Sequence, residues 1–273
     1  MLLVTGSRGQ LGRTLCALLP HAVAPGSDEL DITDADAVRD FVRSRDIDVI
    51  VNCAAYTMVD KAEDEPESAE RINAGGPANL AKSGAAIVHI STDYVFDGTS
   101  TVPYREEDAP NPVSVYGRTK LLGEKAVFEY ASTAIVIRTS WLYSPHGANF
   151  VKTMLRLGAE RECVRVVADQ VGTPTSCLDL AKAIAGLLPR IRSELSGVYH
   201  YSNEGMCSWH DFAEEIFRRA GVACRVEPIA SGEYPTRATR PHFSVLDKAK
   251  FKSTFAMSIP HWEESLHECL GQF

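Results

Sequence analysis

Short apolar segments alternate with segments of helical spacing through the first half of the chain, and this alternation limits the fold more than any other feature. The segments predicted as strands are residues 1–5, 22–24, 47–51, 85–90 and 134–138. The segments predicted as helices are residues 11–19, a stretch capped by Asp34, and residues 66–83 and 115–130. Strands that alternate with helices of this length predict an α/β fold, with a doubly wound parallel sheet covered on both faces. Ligands of such sheets bind beyond the carboxyl ends of the strands.

The overall composition is that of a globular protein with a substantial core, since 45% of the 273 residues are hydrophobic and 23% are charged. A formal net charge of −8 argues against a nucleic-acid surface, which needs clustered Lys and Arg. The apolar run at the N-terminus is cut short by Gly6, so no signal peptide or membrane span is predicted. Seven cysteines are scattered without a C-x-x-C spacing, which is typical of free thiols and predicts a cytoplasmic location.

A glycine-rich turn joins the first predicted strand to the first predicted helix, with the sequence T-G-S-R-G-Q-L-G at residues 5–12. Gly6, Gly9 and Gly12 stand three apart, where a tight turn lets the backbone approach a pyrophosphate closely. The helix that follows offers free N–H groups and a favourable dipole to the same anion. A lone glycine turn is a weak signal, but the alternating segments around it favour a dinucleotide site.

A tyrosine and a lysine stand four residues apart at the start of a predicted helix, as Tyr116 and Lys120, and hence lie on one face. A nearby ammonium favours the phenolate, so we expect the pKa of Tyr116 to be lowered towards working pH. That chemistry suits a general acid that gives a proton to a developing alkoxide. The hydroxyl of Thr92, just beyond the strand at 85–90, is placed to hydrogen-bond the substrate oxygen.

These motifs resemble those of the extended short-chain dehydrogenases, which combine T-G-x-x-G-x-x-G at the first turn with Y-x-x-x-K behind a strand-end threonine. Within that superfamily, nearly the whole chain resembles the dTDP-4-dehydrorhamnose reductase family. The matching segments are V-N-C-A-A-Y-T at 51–57, D-K-A-E at 60–63, S-T-D-Y-V-F-D-G at 91–98, R-T-S-W at 138–141, N-F at 149–150, T-M-L at 153–155, D-Q at 169–170, G-T-P-T at 172–175, Y-P-T at 234–236 and R-P at 240–241. So many ordered matches are far more specific than the glycine turn alone.

The resemblance implies a Rossmann-like α/β fold with a smaller C-terminal substrate-binding lobe, and catalytic roles for Thr92, Tyr116 and Lys120. The residues implied to bind the cofactor are Gly6, Arg8, Gly9, Gln10, Leu11, Asp31, Ile32, Ala54, Ala55, Tyr56, Tyr116 and Lys120. The residues implied to bind the sugar nucleotide are Thr92, Asp93, Tyr94, Val95, Trp141, Asn149 and Arg240. Trp141 is expected near the sugar and Arg240 near the pyrophosphate, whose oxygens a guanidinium fork fits.

We expect NADPH to be the preferred cofactor, with NADH left open as an alternative. The second predicted strand ends in residues 24–27, A-P-G-S, without the acidic residue that normally holds a ribose 2′-hydroxyl. Arg8 lies in the glycine turn instead, where its guanidinium suits a 2′-phosphate.

The implied reaction is reduction of the 4-keto group of dTDP-4-dehydro-L-rhamnose to give dTDP-L-rhamnose. A nucleotide-sugar 4,6-dehydratase of the same superfamily carries Thr-Asp-Glu at the strand end, and Tyr94 stands in place of that glutamate, so simple reduction is favoured. Two alternatives stay open: a reductase of another nucleotide 4-keto-6-deoxysugar, and a non-catalytic NADP-binding subunit that resembles the regulatory subunit of methionine adenosyltransferase. The intact set of Thr92, Tyr116 and Lys120 argues against the second.

The dinucleotide-binding domain is predicted to cover residues 1–141, with a return near 178–201, while 142–273 form mainly the nucleotide-sugar-binding lobe. The predicted partner is a dTDP-sugar, with no nucleic acid and no membrane. A homodimer is left open, as is a magnesium ion at an oligomer contact. No catalytic metal is predicted, because the eight histidines are dispersed and no cluster has ligand spacing.

Overall fold

The computed structural model describes residues 1–273 and contains strands and helices that alternate along the chain. The strands are β1 (Leu2–Thr5), β2 (Val49–Asn52), β3 (Ala86–Thr92), β4 (Ala134–Thr139), β5 (Leu142–Tyr143), β6 (Cys163–Val167), β7 (Val171–Gly172), β8 (Thr175–Ser176), β9 (Gly197–His200), β10 (Cys207–Ser208) and β11 (Arg225–Ile229). The α-helices are α1 (Gln10–Leu18), α2 (Ala35–Ser44), α3 (Val59–Asp64), α4 (Pro66–Glu70), α5 (Gly76–Lys82), α6 (Val115–Tyr130), α7 (Phe150–Glu160), α8 (Cys177–Leu187), α9 (Trp209–Ala220), α10 (Ala249–Phe255) and α11 (Trp262–Leu270). None of these helices is both long enough and apolar enough to cross a membrane.

The main sheet consists of β1, β2, β3, β4 and β9 in that order, and every neighbouring pair is parallel. A single bridge between Leu3 and Val23 lies on the outer side of β1, so the predicted second strand is reduced to one paired residue. After β1 the chain therefore passes to one side of this strand, at Val23, and then returns to add β2 on the other side. This reversal confirms the predicted doubly wound fold and places a ligand crevice at the carboxyl end of β1.

Buried apolar side chains cover both faces of the main sheet. On one face Leu11 and Leu15 of α1 pack with residues of α8 and α10. On the other face Val38 and Val42 of α2 pack with Leu80 of α5. A separate cluster, contributed mainly by α7, α9, α11 and β6, forms the core of the C-terminal part. We propose that this second core belongs to the substrate lobe. Because β9 lies in the main sheet, the two lobes interleave in sequence, and the boundary near residue 141 stays a proposal.

The predicted helix over 66–83 is interrupted by a wide turn. Helix α4 continues into a π-helical turn at Arg71–Gly75 before α5 begins. Pro77 in the first turn of α5 has no N–H to donate, and the N–H of Gly76 reaches back five residues to the carbonyl of Arg71. The regular hydrogen-bond ladder is therefore broken between α4 and α5.

Helix α6 has the bounds that the sequence predicts, residues 115–130. The Ser114 side chain caps it by accepting a 3.1 Å hydrogen bond from the N–H of Gly117. Gly117 is also required for packing, because a Cβ at this position would collide with the carbonyl oxygen of Tyr94. The start of α6 therefore lies directly against the segment that follows β3.

Candidate active site

A cleft of about 820 Å³ opens where β1, β2, β3 and β4 end. The predicted site residues that line it are Gly6, Arg8, Gly9, Gln10, Leu11, Asp31, Ile32, Ala54, Ala55, Thr92, Asp93, Tyr94, Tyr116, Lys120, Trp141, Asn149 and Arg240. These residues come from separate segments of the chain, so the fold brings the glycine turn and the Tyr116 and Lys120 pair into one cavity. Its volume lies in the upper part of the range found for ligand pockets.

Two predicted residues do not line the cleft. The Tyr56 side chain is buried and its hydroxyl donates a 2.8 Å hydrogen bond to Glu65, away from the cleft. Val95 is fully buried and packs with Phe96 and Tyr104. Both side chains belong to the packing behind the site, and their predicted ligand contacts stay predictions.

The glycine turn has a geometry that fits a dinucleotide. Gly6 adopts a φ of +65°, and a Cβ there would lie 2.6 Å from the backbone nitrogen of Ala54. The N-cap of α1 is Gly9, which has no side chain to accept hydrogen bonds from the first N–H groups of that helix. Its first N–H groups and the helix dipole are therefore available to an anion such as a pyrophosphate.

Tyr116 lies at the start of α6 and faces the end of β3. Its ring makes an edge-to-face contact with Tyr94, with 5.5 Å between the ring centroids. A contact between the hydroxyls of Tyr116 and Thr92 stabilises the phenolate and partly offsets burial. Thr92 in turn accepts a 3.2 Å hydrogen bond from the Tyr94 N–H and donates a 3.0 Å hydrogen bond to Asp93. The phenol and the strand-end hydroxyl thus meet at one point of the cleft.

The expected lowering of the Tyr116 pKa by Lys120 is wrong for this structure. Burial raises the pKa of Tyr116 above its ordinary value, and the nearby Asp93 carboxylate raises it further. The Lys120 ammonium is directed elsewhere, donating a 2.6 Å hydrogen bond to the carbonyl of Ile90. Burial lowers the pKa of Lys120 to about 8. Tyr116 therefore stays protonated near neutral pH, which is the form that a proton donor needs.

Asp93 is the most buried carboxylate among the predicted site residues, with 2% of its surface exposed. This burial raises the pKa of Asp93 to about 6, although hydrogen bonds from Ser244 and Thr92 oppose the rise. Asp93 is thus a weaker acid than an ordinary aspartate.

Arg240 reaches the cleft from the C-terminal part of the chain. It donates a 3.0 Å hydrogen bond to the Tyr94 hydroxyl and forms a 2.6 Å ion pair with Asp60 of α3. A second ion pair joins Arg237 to Asp64 on the same helix. The segment that carries Arg240 is therefore tied to α3 at two points, and Arg240 lines the cleft.

Arg8 projects from the glycine turn and forms a 2.6 Å ion pair with Asp28, in which both side chains are more than half exposed. The hydrogen bond from Arg8 lowers the pKa of Asp28. An acidic side chain thus lies beside Arg8. It comes from Asp28, directly after the A-P-G-S segment, and not from the end of the second predicted strand. Exposed pairs of this kind contribute little stability, so Arg8 can exchange partners at small cost.

Two tryptophans form a wall of the cleft. Trp141 follows β4 with a φ of +46°, an unusual conformation for a residue with a side chain. Its indole stacks on that of Trp209, the first residue of α9, with 3.5 Å between centroids and 9° between planes. Gly172 makes room for Trp141, because a Cβ there would lie 2.7 Å from the indole. Sequence reasoning missed Trp209, since no local motif marks it.

Asn149 connects the two parts of the protein. As the N-cap of α7, it accepts a 3.1 Å hydrogen bond from the N–H of Lys152. Its amide donates a 2.9 Å hydrogen bond to the side chain of Gln10, at the start of α1. The glycine turn and the C-terminal part are thereby held together across the cleft.

One group of side chains has the spacing of a metal site, which the sequence analysis did not anticipate. The candidate ligand atoms of His210, Asp211 and Glu214 lie within 4.8 Å of one another in the first turns of α9. Asp211 is already engaged in the capping box with Ser208, and two of the three side chains are exposed. These residues lie outside the cleft lining.

Comparisons with known proteins agree with the geometry. Residues 1–273 match the family model described as the RmlD substrate binding domain. A protein of Sinorhizobium fredii named dTDP-4-dehydrorhamnose reductase is 42% identical over 279 aligned positions, which cover 97% of this chain and 94% of that protein. The chain belongs to the dTDP-4-dehydrorhamnose reductase family. The resemblance inferred from the motifs is thereby confirmed.

Solved structures of this family have the same fold. The dTDP-4-dehydrorhamnose reductase of Clostridium acetobutylicum is 43% identical, with a TM-score of 0.96 over 99% of this chain and 98% of that one. The enzyme of Bacillus anthracis, solved in complex with NADP, is 40% identical, with a TM-score of 0.95 over 100% of this chain and 99% of that one. The chain thus matches its relatives over almost their whole length.

Proposed function

We propose that this protein uses NADPH to reduce the 4-keto group of dTDP-4-dehydro-L-rhamnose to the alcohol of dTDP-L-rhamnose. The observation that carries the proposal is the shared cleft, where Thr92, Tyr116 and Lys120 lie with the glycine turn. Membership of the dTDP-4-dehydrorhamnose reductase family supports the same substrate and reaction.

The glycine turn and the residues around it would hold the cofactor. The free N–H groups at the start of α1 suit the pyrophosphate, and Arg8 suits a 2′-phosphate. When bound, NADPH supplies the hydride that reduces the carbonyl carbon. Lys120 would contact the nicotinamide ribose, because its ammonium reaches the end of β3 beside Tyr116.

Tyr116 would donate the proton that the reduced carbonyl oxygen needs. Its burial favours the neutral phenol, and its contact with Thr92 lets two hydroxyls meet the developing negative charge. Thr92 would orient the same oxygen. In this structure the single O–H of Thr92 donates a 3.0 Å hydrogen bond to Asp93, so it would have to turn from Asp93 to the substrate oxygen.

The far side of the cleft would hold the sugar nucleotide. Arg240 is the one predicted cation there, and its fork fits a pyrophosphate better than a point charge does. Trp141, supported by Trp209, offers a flat apolar surface for a sugar or base. To bind phosphate oxygens fully, Arg240 would have to give up part of its contact with Asp60.

A cytoplasmic location and a dTDP-sugar partner belong to the same proposal. The seven cysteines are all free thiols, which suits a reducing compartment. The homodimer and the magnesium ion at an oligomer contact stay predictions.

The decisive experiment measures NADPH oxidation by the purified protein with a panel of 4-keto-6-deoxyhexoses that differ in nucleotide and in sugar configuration. We expect the largest kcat/KM with dTDP-4-dehydro-L-rhamnose. A higher value with another sugar nucleotide would reassign the substrate. Tight NADPH binding without oxidation of any panel member would instead favour a non-catalytic binding subunit.

Replacing Arg8 with alanine should lower the ratio of kcat/KM for NADPH to that for NADH by about tenfold, since the 2′-phosphate, which NADH lacks, is the cofactor group that the guanidinium would bind. The converse change, Asp28→Asn, should raise the ratio, because it frees Arg8 from its ion pair. Arg13→Ala serves as the matched control, since Arg13 is exposed on α1 outside the cleft lining. An unchanged ratio in Arg8→Ala would remove Arg8 from cofactor selection.

A further inference from the structure

Glu124 and Arg138 form a fully buried ion pair directly behind the cleft. Each side chain is 3% exposed. The guanidinium of Arg138 on β4 donates two hydrogen bonds, of 3.0 and 2.8 Å, to the two carboxylate oxygens of Glu124 on α6. Burying two charges costs so much desolvation energy that such pairs seldom add net stability. A role other than stabilising the fold therefore explains this ion pair better.

The pair is connected to the strand that ends in the site. The hydroxyl of Ser91 donates a 2.5 Å hydrogen bond to Glu124. Lys120, one helical turn earlier on α6, donates a 2.6 Å hydrogen bond to the carbonyl of Ile90. Two side chains on one face of α6 thus hold two consecutive residues of β3, immediately before Thr92.

We propose that Glu124 is a positioning residue that fixes α6 against the end of β3, so that the Lys120 ammonium stays at the Ile90 carbonyl, with Arg138 balancing the charge of Glu124. This proposal rests on the proposed function, because it concerns the lysine that would hold the cofactor. Glu124 itself does not line the cleft and touches no reacting group.

The titratable groups that face Lys120 differ in charge. On its own helix the Glu124 carboxylate raises the pKa of Lys120, and at the end of β2 the Cys53 thiol has a smaller effect in the same direction. On β3 the buried His89 has a pKa well below its ordinary value and is therefore neutral. Tyr116 is neutral as well, since burial raises its pKa. Glu124 is thus the principal anion that opposes the burial of Lys120.

Replacing Glu124 and Arg138 separately should shift the pKa of Lys120 in opposite directions. In Glu124→Gln the anion is lost and the Arg138 cation remains, so the pKa of Lys120 should fall. In Arg138→Met the cation is lost and Glu124 faces Lys120 uncompensated, so the pKa should rise. Each shift should be on the order of one pH unit, as is usual for a charge nearby in a buried site.

The measurement is the Kd of NADPH for the cofactor-free protein as a function of pH, without any sugar nucleotide. Binding should weaken as the pH rises through the pKa of Lys120, because the neutral amine no longer attracts the cofactor. This loss of affinity forms the alkaline limb of the plot of Kd against pH. We expect the alkaline limb to move to lower pH in Glu124→Gln and to higher pH in Arg138→Met. Lys120→Met should have no such limb.

Glu204→Gln is the control, because Glu204 pairs with a different buried lysine, Lys248, and lies outside the cleft lining. It should leave the limb in place. Movement of the limb in the same direction in Glu124→Gln and Arg138→Met, or no movement in either, would overturn the proposal. If the wild type binds no NADPH at all, the proposed function fails instead.

Glu124→Asp provides the second variant, in case Glu124→Gln does not fold. It keeps the charge but withdraws the carboxylate by one methylene from Ser91. We expect the alkaline limb to remain and kcat to fall about tenfold with the Kd for NADPH unchanged, because the end of β3 is less firmly held. A kcat equal to that of the wild type would exclude the positioning role.

Discussion

Replacing Tyr116 with phenylalanine should lower kcat by roughly two to four orders of magnitude, the usual contribution of general acid catalysis. The phenylalanine ring keeps the edge-to-face contact with Tyr94 and the packing of α6, so only the proton donor is lost. The Kd for NADPH should change little, because the residues proposed to hold the cofactor are mainly those of the glycine turn and Lys120. Steady-state turnover with the sugar nucleotide and direct titration of NADPH measure the two quantities.

Tyr130→Phe is the matched control for this change, since Tyr130 lies at the exposed end of the same helix. It should have normal kcat and normal cofactor affinity. Near-normal turnover by a correctly folded Tyr116→Phe protein would exclude Tyr116 as the acid. A large loss of NADPH affinity would show that the hydroxyl also binds the cofactor, which the proposed division of roles does not include.

The fold of the first half could be predicted because its signals are local. Strands β2 and β3 are short, mainly apolar runs buried on both faces, and α6 has a capping serine before it. The sequence of the second lobe contains few local signals of this kind. Strands β7 and β10 have two residues each and exist only because distant segments pair, which neither periodicity nor propensity records.

The same distinction applies to the site. The glycine turn and the Tyr116 and Lys120 pair are contiguous motifs, so the sequence was sufficient to predict them. Trp209 reaches Trp141 only through the packing of α9 against the end of β4, and the ion pair between Arg8 and Asp28 depends on how a loop returns to the glycine turn. Contacts of this kind are set by tertiary structure.

The pKa of Tyr116 is a further property that the sequence alone could not predict. The spacing of Tyr116 and Lys120 correctly predicts a shared helix face, but spacing carries no information on burial or on where the ammonium points. Desolvation raises the pKa of the phenol, while the ammonium is directed at the Ile90 carbonyl. In a buried site desolvation outweighs the effect of a charge that is already engaged elsewhere.

Replacing Lys120 with methionine should weaken NADPH binding about tenfold and lower kcat by about two orders of magnitude. Methionine keeps an unbranched apolar chain in a position that is only 2% exposed, so the packing of α6 on β3 should survive. The ammonium is lost, however, and with it the hydrogen bond to Ile90 and the cation proposed to contact the nicotinamide ribose. The two constants are measured by NADPH titration and by steady-state turnover.

Lys248→Met is the control that separates this role from the cost of removing any buried lysine. Lys248 is 7% exposed and pairs with Glu204 outside the cleft lining, so its loss should lower the Tm but leave NADPH affinity and kcat unchanged. If Lys120→Met binds NADPH as tightly as the wild type and only kcat falls, Lys120 does not hold the cofactor. Its contribution would then be confined to the end of β3, where its hydrogen bond to Ile90 and the contact of Glu124 with Ser91 keep Thr92 beside Tyr116.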